Sequence, residues 1–144
     1  MRVAETLFPI LSPPASPAGA GANLPLYRDI AWDFGADRPR FRDGGPVYVE
    51  GLEAVAVWAQ NAARTVRFRH EIFTPGYGCE LTALVGQPYS EDTKLAEAGR
   101  YVRDALLESP YITAVSVADA SFQGGRLTLR CRVTTIYGEV DLDV

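Results

Sequence analysis

Residues 126–138 read RLTLRCRVTTIYG, and this stretch decides the fold of the C-terminal part of the chain. Apolar side chains from Leu127 to Val133 alternate with threonine and arginine, which is the pattern of a β-strand with one buried face. A second strand-like run extends from Tyr111 to Phe122, and Gln123-Gly124-Gly125 separates the two runs. Two strands joined by a glycine turn predict a C-terminal β-hairpin.

The apolar alternation shifts by one residue at Thr134-Thr135 and then continues through Ile136, Val140, Leu142 and Val144. Since one extra residue turns a strand over, this shift predicts a β-bulge or a bend. Acidic residues occupy the other face of the last segment, namely Glu139, Asp141 and Asp143. Such a row disfavours pairing with other edges unless a partner supplies matching positive charge.

Residues 72–88, IFTPGYGCELTALVGQP, are the second informative stretch. The alternation from Val66 to Ile72 predicts a half-buried strand that ends in a Pro-Gly turn, with His70 on its apolar side. We expect Tyr77 to lie exposed beside this turn, and a short apolar helix to follow it.

Two longer helices are predicted, from Gly51 to Thr65 and from Ser90 to Ser109. The first has an apolar face, and the second begins with Ser90 as N-cap and acidic residues in its first turn. Ser109-Pro110 ends the second helix, because the residue before proline avoids the helical region. The predicted class is therefore α+β, a small mixed or antiparallel sheet packed against two main helices.

The N-terminal part divides at about residue 25. Residues 1–25 are rich in proline, alanine and glycine and predict either a flexible arm or one that becomes ordered along a neighbouring subunit, whereas residues 26–144 form the predicted domain. Within that domain, the alternation around Ile30, Trp32 and Phe34 predicts one strand, residues 35–45 a polar loop, and residues 46–50 a short strand.

Composition restricts the functional classes. The formal net charge of −4 disfavours general nucleic-acid binding, and no apolar run is long enough to span a membrane. The chain has one histidine, His70, and two cysteines, Cys79 and Cys131, which predict buried thiols rather than a metal site or a disulfide framework. We therefore predict no metal and no cofactor.

Residue type alone suggests two candidate functional features, an acid/base pair and a set of arginines. Glu71 and Glu80 flank the Tyr77-Gly78 turn and are the least implausible acid/base pair for a hydrolase. Five arginines could share one face of the sheet, either as solvated side chains or as a docking surface for an acidic partner; they are Arg67, Arg69, Arg126, Arg130 and Arg132.

The order of these motifs resembles a known family. The segments GLEAVAVWAQNAARTVRFRHEIFTPGYGCELTALVGQP, ITAVSVADASF and LTLRCRVTTIYGEV are similar to the small baseplate wedge protein of contractile phage tails, a family long labelled "lysozyme-like". Relatives occur in prophage tails, bacteriocins and type VI secretion, and the prophage-tail branch shares a Tyr-Gly-x-x-Leu motif and a terminal Ile-aromatic-Gly-Glu. The resemblance covers residues 26–140.

The resemblance implies a structural subunit of the tail baseplate, made in the host cytoplasm. Its implied partners are the larger wedge subunits, the tail sheath protein and tube or hub proteins, with neither nucleic acid nor membrane. It implies that the protein joins the wedge to the first sheath ring by strand addition and so templates the sheath. A tail-associated peptidoglycan hydrolase is the alternative function.

The resemblance also implies a set of partner-binding residues: Tyr77, Gly78, Pro110, Tyr111, Leu127, Leu129, Arg130, Tyr137 and Gly138. Several family members carry Glu-Pro-Arg after the second helix, where it contacts the wedge. This chain has Ser109, Pro110 and Tyr111 at those positions, and only the proline agrees.

Overall fold

The computed structural model describes residues 23–144, and the predicted arm up to residue 22 lies outside them. The described chain is an α+β fold, as predicted. Its elements are β1 (Arg28–Ile30), β2 (Trp32–Asp33), β3 (Arg38–Pro39), β4 (Phe41–Arg42), β5 (Gly45–Pro46), β6 (Tyr48–Glu50), α1 (Leu52–Arg64), a 3₁₀ helix (Leu81–Leu84), α2 (Glu91–Leu106), β7 (Ile112–Gln123), β8 (Arg126–Thr135) and β9 (Gly138–Asp143).

Residues 28–50 form a ribbon of short antiparallel pairs, β1 with β6, β2 with β3 and β4 with β5. The prediction of one continuous strand here was wrong, because the chain bends at Ala31. The fully buried Ala31 donates its N–H to Val47 and accepts a hydrogen bond from Arg40. The predicted polar loop 35–45 also contains β3 and β4, because strands of two residues in a polar stretch show no apolar alternation that would predict them.

The two predicted main helices are confirmed. Helix α1 buries the face that includes Val55, Ala59 and Ala62, because these residues recur at helical spacing. Helix α2 begins at the predicted N-cap, where the Ser90 hydroxyl accepts a hydrogen bond from the Thr93 N–H at 3.3 Å. The helix ends at Leu106, just before Ser109-Pro110.

The predicted strand from Val66 to Ile72 is wrong. Only Val66 makes a bridge, to Cys79, and the chain then forms a loop in which Phe68 has a positive φ of 65°. Ile72 is 87% exposed and His70 is also exposed, so this histidine is not a core residue. The alternation misleads here because Arg67, on the predicted polar side, turns inward and bonds to the carbonyls of Gly76 and Gly78.

The main sheet has the order β7-β8-β9 and is antiparallel throughout. The predicted turn is confirmed but is formed by Gly124 and Gly125 alone, with φ values of 56° and 78° that suit glycine, since Gln123 is the last residue of β7. The apolar shift at Thr134-Thr135 has a simple cause: β8 ends there, and Ile136-Tyr137 form a second tight turn into β9. What we expected to be one bent strand is a second hairpin, while the irregularities in register lie in β7.

The core lies between the two helices and one face of this sheet. Leu129, Cys131 and Val133 of β8 are fully buried against α1 and α2. Gly99 of α2 allows a close approach to β7, since an added Cβ would lie 3.0 Å from the Val117 side chain. The helices therefore cover one face of the sheet and leave the other face, with Arg130 and Arg132, exposed to solvent.

Candidate functional site

The predicted partner-binding residues of the C-terminal region differ in how accessible they are within the sheet. Leu127, Leu129 and Arg130 lie on β8, which is the central strand. Leu129 is fully buried, and its N–H and C=O both bond to Val144 at 2.9 and 2.8 Å. A partner strand cannot reach Leu129 without displacing Val144, so the sheet's outer edges are the places where a strand could add.

Two of the three acidic side chains of β9 are ion-paired within the hairpin. Arg130 Nε donates to Asp143 at 2.9 Å, and Arg132 Nε donates to Asp141 at 3.0 Å, across the solvent face of the sheet. The hydrogen bond from Arg132 lowers the pKa of Asp141. These pairs are exposed and contribute little stability each, but they place positive charge from within the chain beside the acidic row.

The five arginines do not share one face. Arg130 and Arg132 lie on the sheet, while Arg67 belongs to the loop after α1 and is only 13% exposed at its side chain. Arg67 bonds to the carbonyls of Gly76 and Gly78, at 3.2 and 3.1 Å, and lies 3.6 Å from Glu80. This arginine closes the loop internally, so the predicted docking surface of five arginines was wrong as a set.

Helix α1 runs beside β9. An added Cβ on Gly138, at the start of β9, would lie 3.8 Å from Leu52, and Gln60 Nε2 donates to the Asp143 carbonyl at 2.6 Å near the strand's end. The side chain of Gln60 thereby satisfies a carbonyl that points away from β8. The outer edge of β9 is therefore partly covered.

The outer edge of β7 is more open. Because Leu129 bonds to β9, its partner Ala120 is a non-hydrogen-bonded position that directs its N–H and C=O outward, as does Phe122 two residues later. At the other end of β7, Arg103 Nε donates to the outward carbonyl of Val115 at 3.3 Å. Within residues 23–144 no strand pairs with this edge.

Three tyrosines pack together at the end of the sheet opposite the Gly124-Gly125 turn. Tyr111 stacks against Tyr137 at 6.2 Å and packs against Tyr27 at 4.8 Å between ring centroids. Tyr111 donates its hydroxyl to Pro25, and Tyr27 donates its N–H to the Tyr137 hydroxyl. Burial raises the pKa of Tyr111. These tyrosines join the first described residues to the sheet.

Two further predicted partner-binding residues, Pro110 and Gly138, lie on the surface next to these tyrosines, together with Ile136. Pro110 is exposed before the buried Tyr111, Gly138 is exposed, and Ile136 is 36% exposed. The Ile136 N–H bonds to the Tyr111 carbonyl at 3.0 Å, so Pro110 and Ile136 lie close together.

Tyr77 was expected to be exposed, and this prediction was wrong. The ring is half-buried between Trp58, at 5.8 Å, and Phe73, at 4.6 Å between centroids. Burial raises the pKa of its hydroxyl. Gly78 beside it is buried, with a φ of 102°, and an added Cβ would lie 2.9 Å from the backbone of Arg67 and Thr65.

The candidate acid/base pair is placed on the same loop. Glu80 is ion-paired to Arg67, whereas Glu71 lies exposed near the tip beside Phe73 and His70. Cys79 and Cys131 are buried free thiols, as predicted, and burial raises the pKa of both. Among the described residues there is no cluster of three or more metal-ligating side chains.

The sequence profile of the contractile injection system sheath initiator family matches residues 28–138. The chain belongs to this family. No curated protein matches the sequence closely. This sheath initiator is thus a structural component related to the baseplate of a contractile tail, and it interacts with tail sheath and baseplate components.

Two further facts bear on the sheath initiator's surroundings. Membership of the family implies a location in the tail or baseplate. None of the helices in residues 23–144 is long and apolar enough to cross a membrane.

Sequence reasoning missed the open edge of β7. It placed strand exchange on the last two strands because they alternate most regularly, but regular alternation marks burial of one face, not a free edge. The sequence of β7 carries no signal for a free edge, since its small residues recur along the whole strand, at Ala114, Ser116, Ala118, Ala120 and Ser121.

Proposed function

We propose that this sheath initiator starts the sheath by accepting a strand from a sheath subunit along the outer edge of β7. The observation that carries the proposal is the outward direction of the N–H and C=O groups of Ala120 and Phe122, on the longest strand of the sheet. An added strand would pair these groups by backbone hydrogen bonds, which give affinity with little demand on sequence.

The rest of the sheet supports β7 rather than β9 as the acceptor. Helix α1 lies along β9 and Gln60 bonds to the Asp143 carbonyl, whereas α2 packs mainly on the face of β7. Arg103 at Val115 limits the accessible edge to its second half. A strand added there would extend an already ordered three-stranded sheet, so only the incoming segment must lose conformational entropy.

We propose that the opposite end of the molecule docks on a larger baseplate wedge subunit. The exposed Pro110, Ile136 and Gly138 surround a rigid base of stacked tyrosines, Tyr111 and Tyr137. Rigid aromatic residues with exposed apolar neighbours favour protein interfaces, because little side-chain freedom is lost on binding. The initiator would then join wedge and sheath through opposite ends of one sheet.

Replacing Ala120 by proline tests strand addition. Proline removes the outward N–H and leaves the bonds between β7 and β8 in place, since Ala120 makes none of them. We expect particles with assembled baseplates and few or no sheaths, counted by electron microscopy of cells that produce the complete tail.

The matched control is Ala120→Val, which keeps the N–H and adds a side chain suited to a strand. We expect this variant to form sheaths. Both purified variants must unfold within a few degrees of the parent protein, since a proline that unfolds the sheet would mimic the result. Normal sheath numbers with a folded Ala120→Pro variant would show that the β7 edge is not the acceptor.

Ile136→Arg tests wedge docking. A charged side chain at this exposed position should leave the fold intact and oppose burial in an apolar interface. We expect at least a tenfold smaller recovery of wedge subunits in a pull-down from cells that express the whole tail. Thr113→Arg, exposed on β7, is the control, and equal recovery with both variants would disprove this surface.

A further inference from the structure

The solvent face of the sheet carries a row of charges that alternate in sign from strand to strand. Arg130 on β8 bonds to Asp143 on β9 at 2.9 Å, and its partner on the other side is Asp119 on β7. Cross-strand partners share a face of the sheet, and Asp119 is exposed like Arg130. The row is therefore negative, positive and negative from β9 to β7, and it ends at the outer edge of β7.

The carboxylate at the end of this row has no ionic partner in the described chain. None of the ion pairs within residues 23–144 includes Asp119, and Arg130 is hydrogen-bonded to Asp143 instead. The backbone groups of Asp119 point toward β8, because those of Ala120 beside it point outward. A residue added opposite Asp119 would therefore form a non-hydrogen-bonded pair with it, in which the Cα atoms are only about 4.5 Å apart and the side chains are close.

A positive charge lies at the other end of the open edge, on the helix side of the sheet. Arg103 of α2 is exposed, and its Nε donates to the outward carbonyl of Val115 at 3.3 Å. Within residues 23–144 the two terminal nitrogens of Arg103 have no hydrogen-bond partner and no carboxylate in an ion pair. A strand that pairs with β7 as far as Val117 would bring its next residue to this guanidinium.

The two charges are separated by a fixed number of strand residues. Asp119 lies opposite Arg130 of β8. Val115 lies opposite Val133, three positions further along β8, because β7 has an extra residue in between. Arg130 is exposed and Val133 is buried, so the two positions lie on opposite faces of the sheet. A regular strand on the outer edge of β7 would meet Asp119 and Arg103 with the same spacing.

We propose that the sheath segment accepted by β7 carries a basic residue opposite Asp119 and an acidic residue beside Arg103, three positions apart and on opposite faces of the added strand. This inference rests on the proposed strand addition and names the side chains that would be recognised there. Opposite charges attract at both positions and like charges repel, so the pair fixes the register of a segment whose backbone bonds alone would accept several. The acidic residue comes first in a segment parallel to β7 and last in an antiparallel one.

Peptide binding to the full-length chain tests the charge pattern. The probes are Glu-Thr-Val-Arg-Val-Thr-Val and the same residues in reverse order, with both ends blocked, and each control has glutamate and arginine exchanged. We expect NMR shifts at the amides of Val117, Ala120 and Phe122, and about tenfold tighter binding of one probe than of its control. Ala120→Pro should weaken that probe and its control alike, since it removes an outward N–H.

The double variant Asp119→Lys/Arg103→Glu should reverse the preference, so that the exchanged peptide binds about tenfold more tightly than the probe. Weaker binding of both peptides without a change in their order would overturn the inference. Equal binding of probe and control to the parent protein, with shifts at the β7 edge, would also overturn it and leave strand addition standing. An absence of shifts at this edge with every peptide at millimolar concentration would overturn the inference together with strand addition.

The assembled particle tests whether the sheath supplies the segment. Asp119→Lys should lower the number of sheathed particles about fivefold in cells that produce the complete tail. Glu71→Lys makes an equal change of charge at an exposed loop residue and should leave that number unchanged.

Suppressor mutations locate the partner residues. Those that restore sheaths to Asp119→Lys should replace a basic residue of the sheath protein by an acidic one. Suppressors of Arg103→Glu should replace an acidic residue by a basic one, three positions away in the same segment. Normal sheath numbers with Asp119→Lys, or suppressors that fall in residues 1–22 of this chain or in another tail protein, would overturn the proposal.

Discussion

At the scale of single residues, the loop between α1 and the 3₁₀ helix shows how one side chain can change a local structure. Arg67 has three hydrogen-bonding or ionic partners in this loop, the carbonyls of Gly76 and Gly78 and the carboxylate of Glu80. The alternating sequence predicted a strand with His70 inside, but these contacts hold Arg67 inside and leave His70 exposed. Periodicity cannot reveal an arginine that bonds to backbone carbonyls, because it assigns arginine to the solvent side.

Gly78→Ala should strongly destabilise the protein. The added Cβ would lie 2.9 Å from backbone atoms of Arg67 and Thr65, which cannot rotate away, and the φ of 102° is itself unfavourable for alanine. We expect a loss of about 3 kcal/mol in the free energy of unfolding, measured by urea denaturation.

Gly86→Ala provides the matched comparison. Gly86 also has a positive φ, of 76°, but nothing lies within 4 Å of its added Cβ. Gly86→Ala should therefore lower the free energy of unfolding by only about 1–2 kcal/mol, through backbone strain. Equal losses in the two variants would mean that close contact at Gly78 does not determine its stability.

At the scale of secondary-structure elements, the helices were predictable because their signals are local. The apolar spacing of α1 and the N-cap of α2 depend on residues within a few positions of each other. The β8–β9 hairpin was less predictable, since a one-residue shift in alternation has the same sequence signature for a bulge, a bend or a tight turn. Whether the outer edge of β7 is free depends on which parts of the sheet α1 and α2 cover, and no local sequence pattern indicates this.

Ser90→Ala should destabilise α2. It removes the hydroxyl that accepts from the Thr93 N–H, and helices that lose such a cap lose about 1 kcal/mol. The midpoint of thermal unfolding should fall by about 3–5 °C, measured by circular dichroism. Ser90→Asp, which can cap in the same way, should stay near the parent value, and a similar fall for aspartate would argue against capping as the cause.

At the scale of the whole molecule, the two buried thiols link stability to pH. Burial raises the pKa of Cys131 and of Cys79. A group whose pKa is raised in the folded protein contributes stability that is complete below the unfolded pKa, about 8.5 for a thiol, and is lost as pH rises through the folded pKa. Stability should therefore fall from about pH 8.5 upward.

Urea denaturation between pH 7 and pH 9.5 measures this dependence. The double variant Cys79→Ala/Cys131→Val lacks both thiols and should show a smaller decline over that range, although its stability at pH 7 will differ because the packing changes. The range stops below the unfolded pKa of tyrosine, about 10, because the raised pKa values of Tyr27, Tyr77 and Tyr111 in the folded protein would add a decline of the same sign above it. An unchanged slope in the double variant would assign the dependence to other groups.

The tyrosine contacts at the start of the sheet have a mechanical consequence. Tyr111 and Tyr137 hydrogen-bond to Pro25 and Tyr27, so the first described residues are attached to β7 and to the turn before β9. A pulling force applied through the preceding segment would be transmitted first to these bonds and to the three-stranded sheet, not to the short β1–β6 pair alone. In a machine that contracts, that path would carry tension into the most extensively bonded part of the protein.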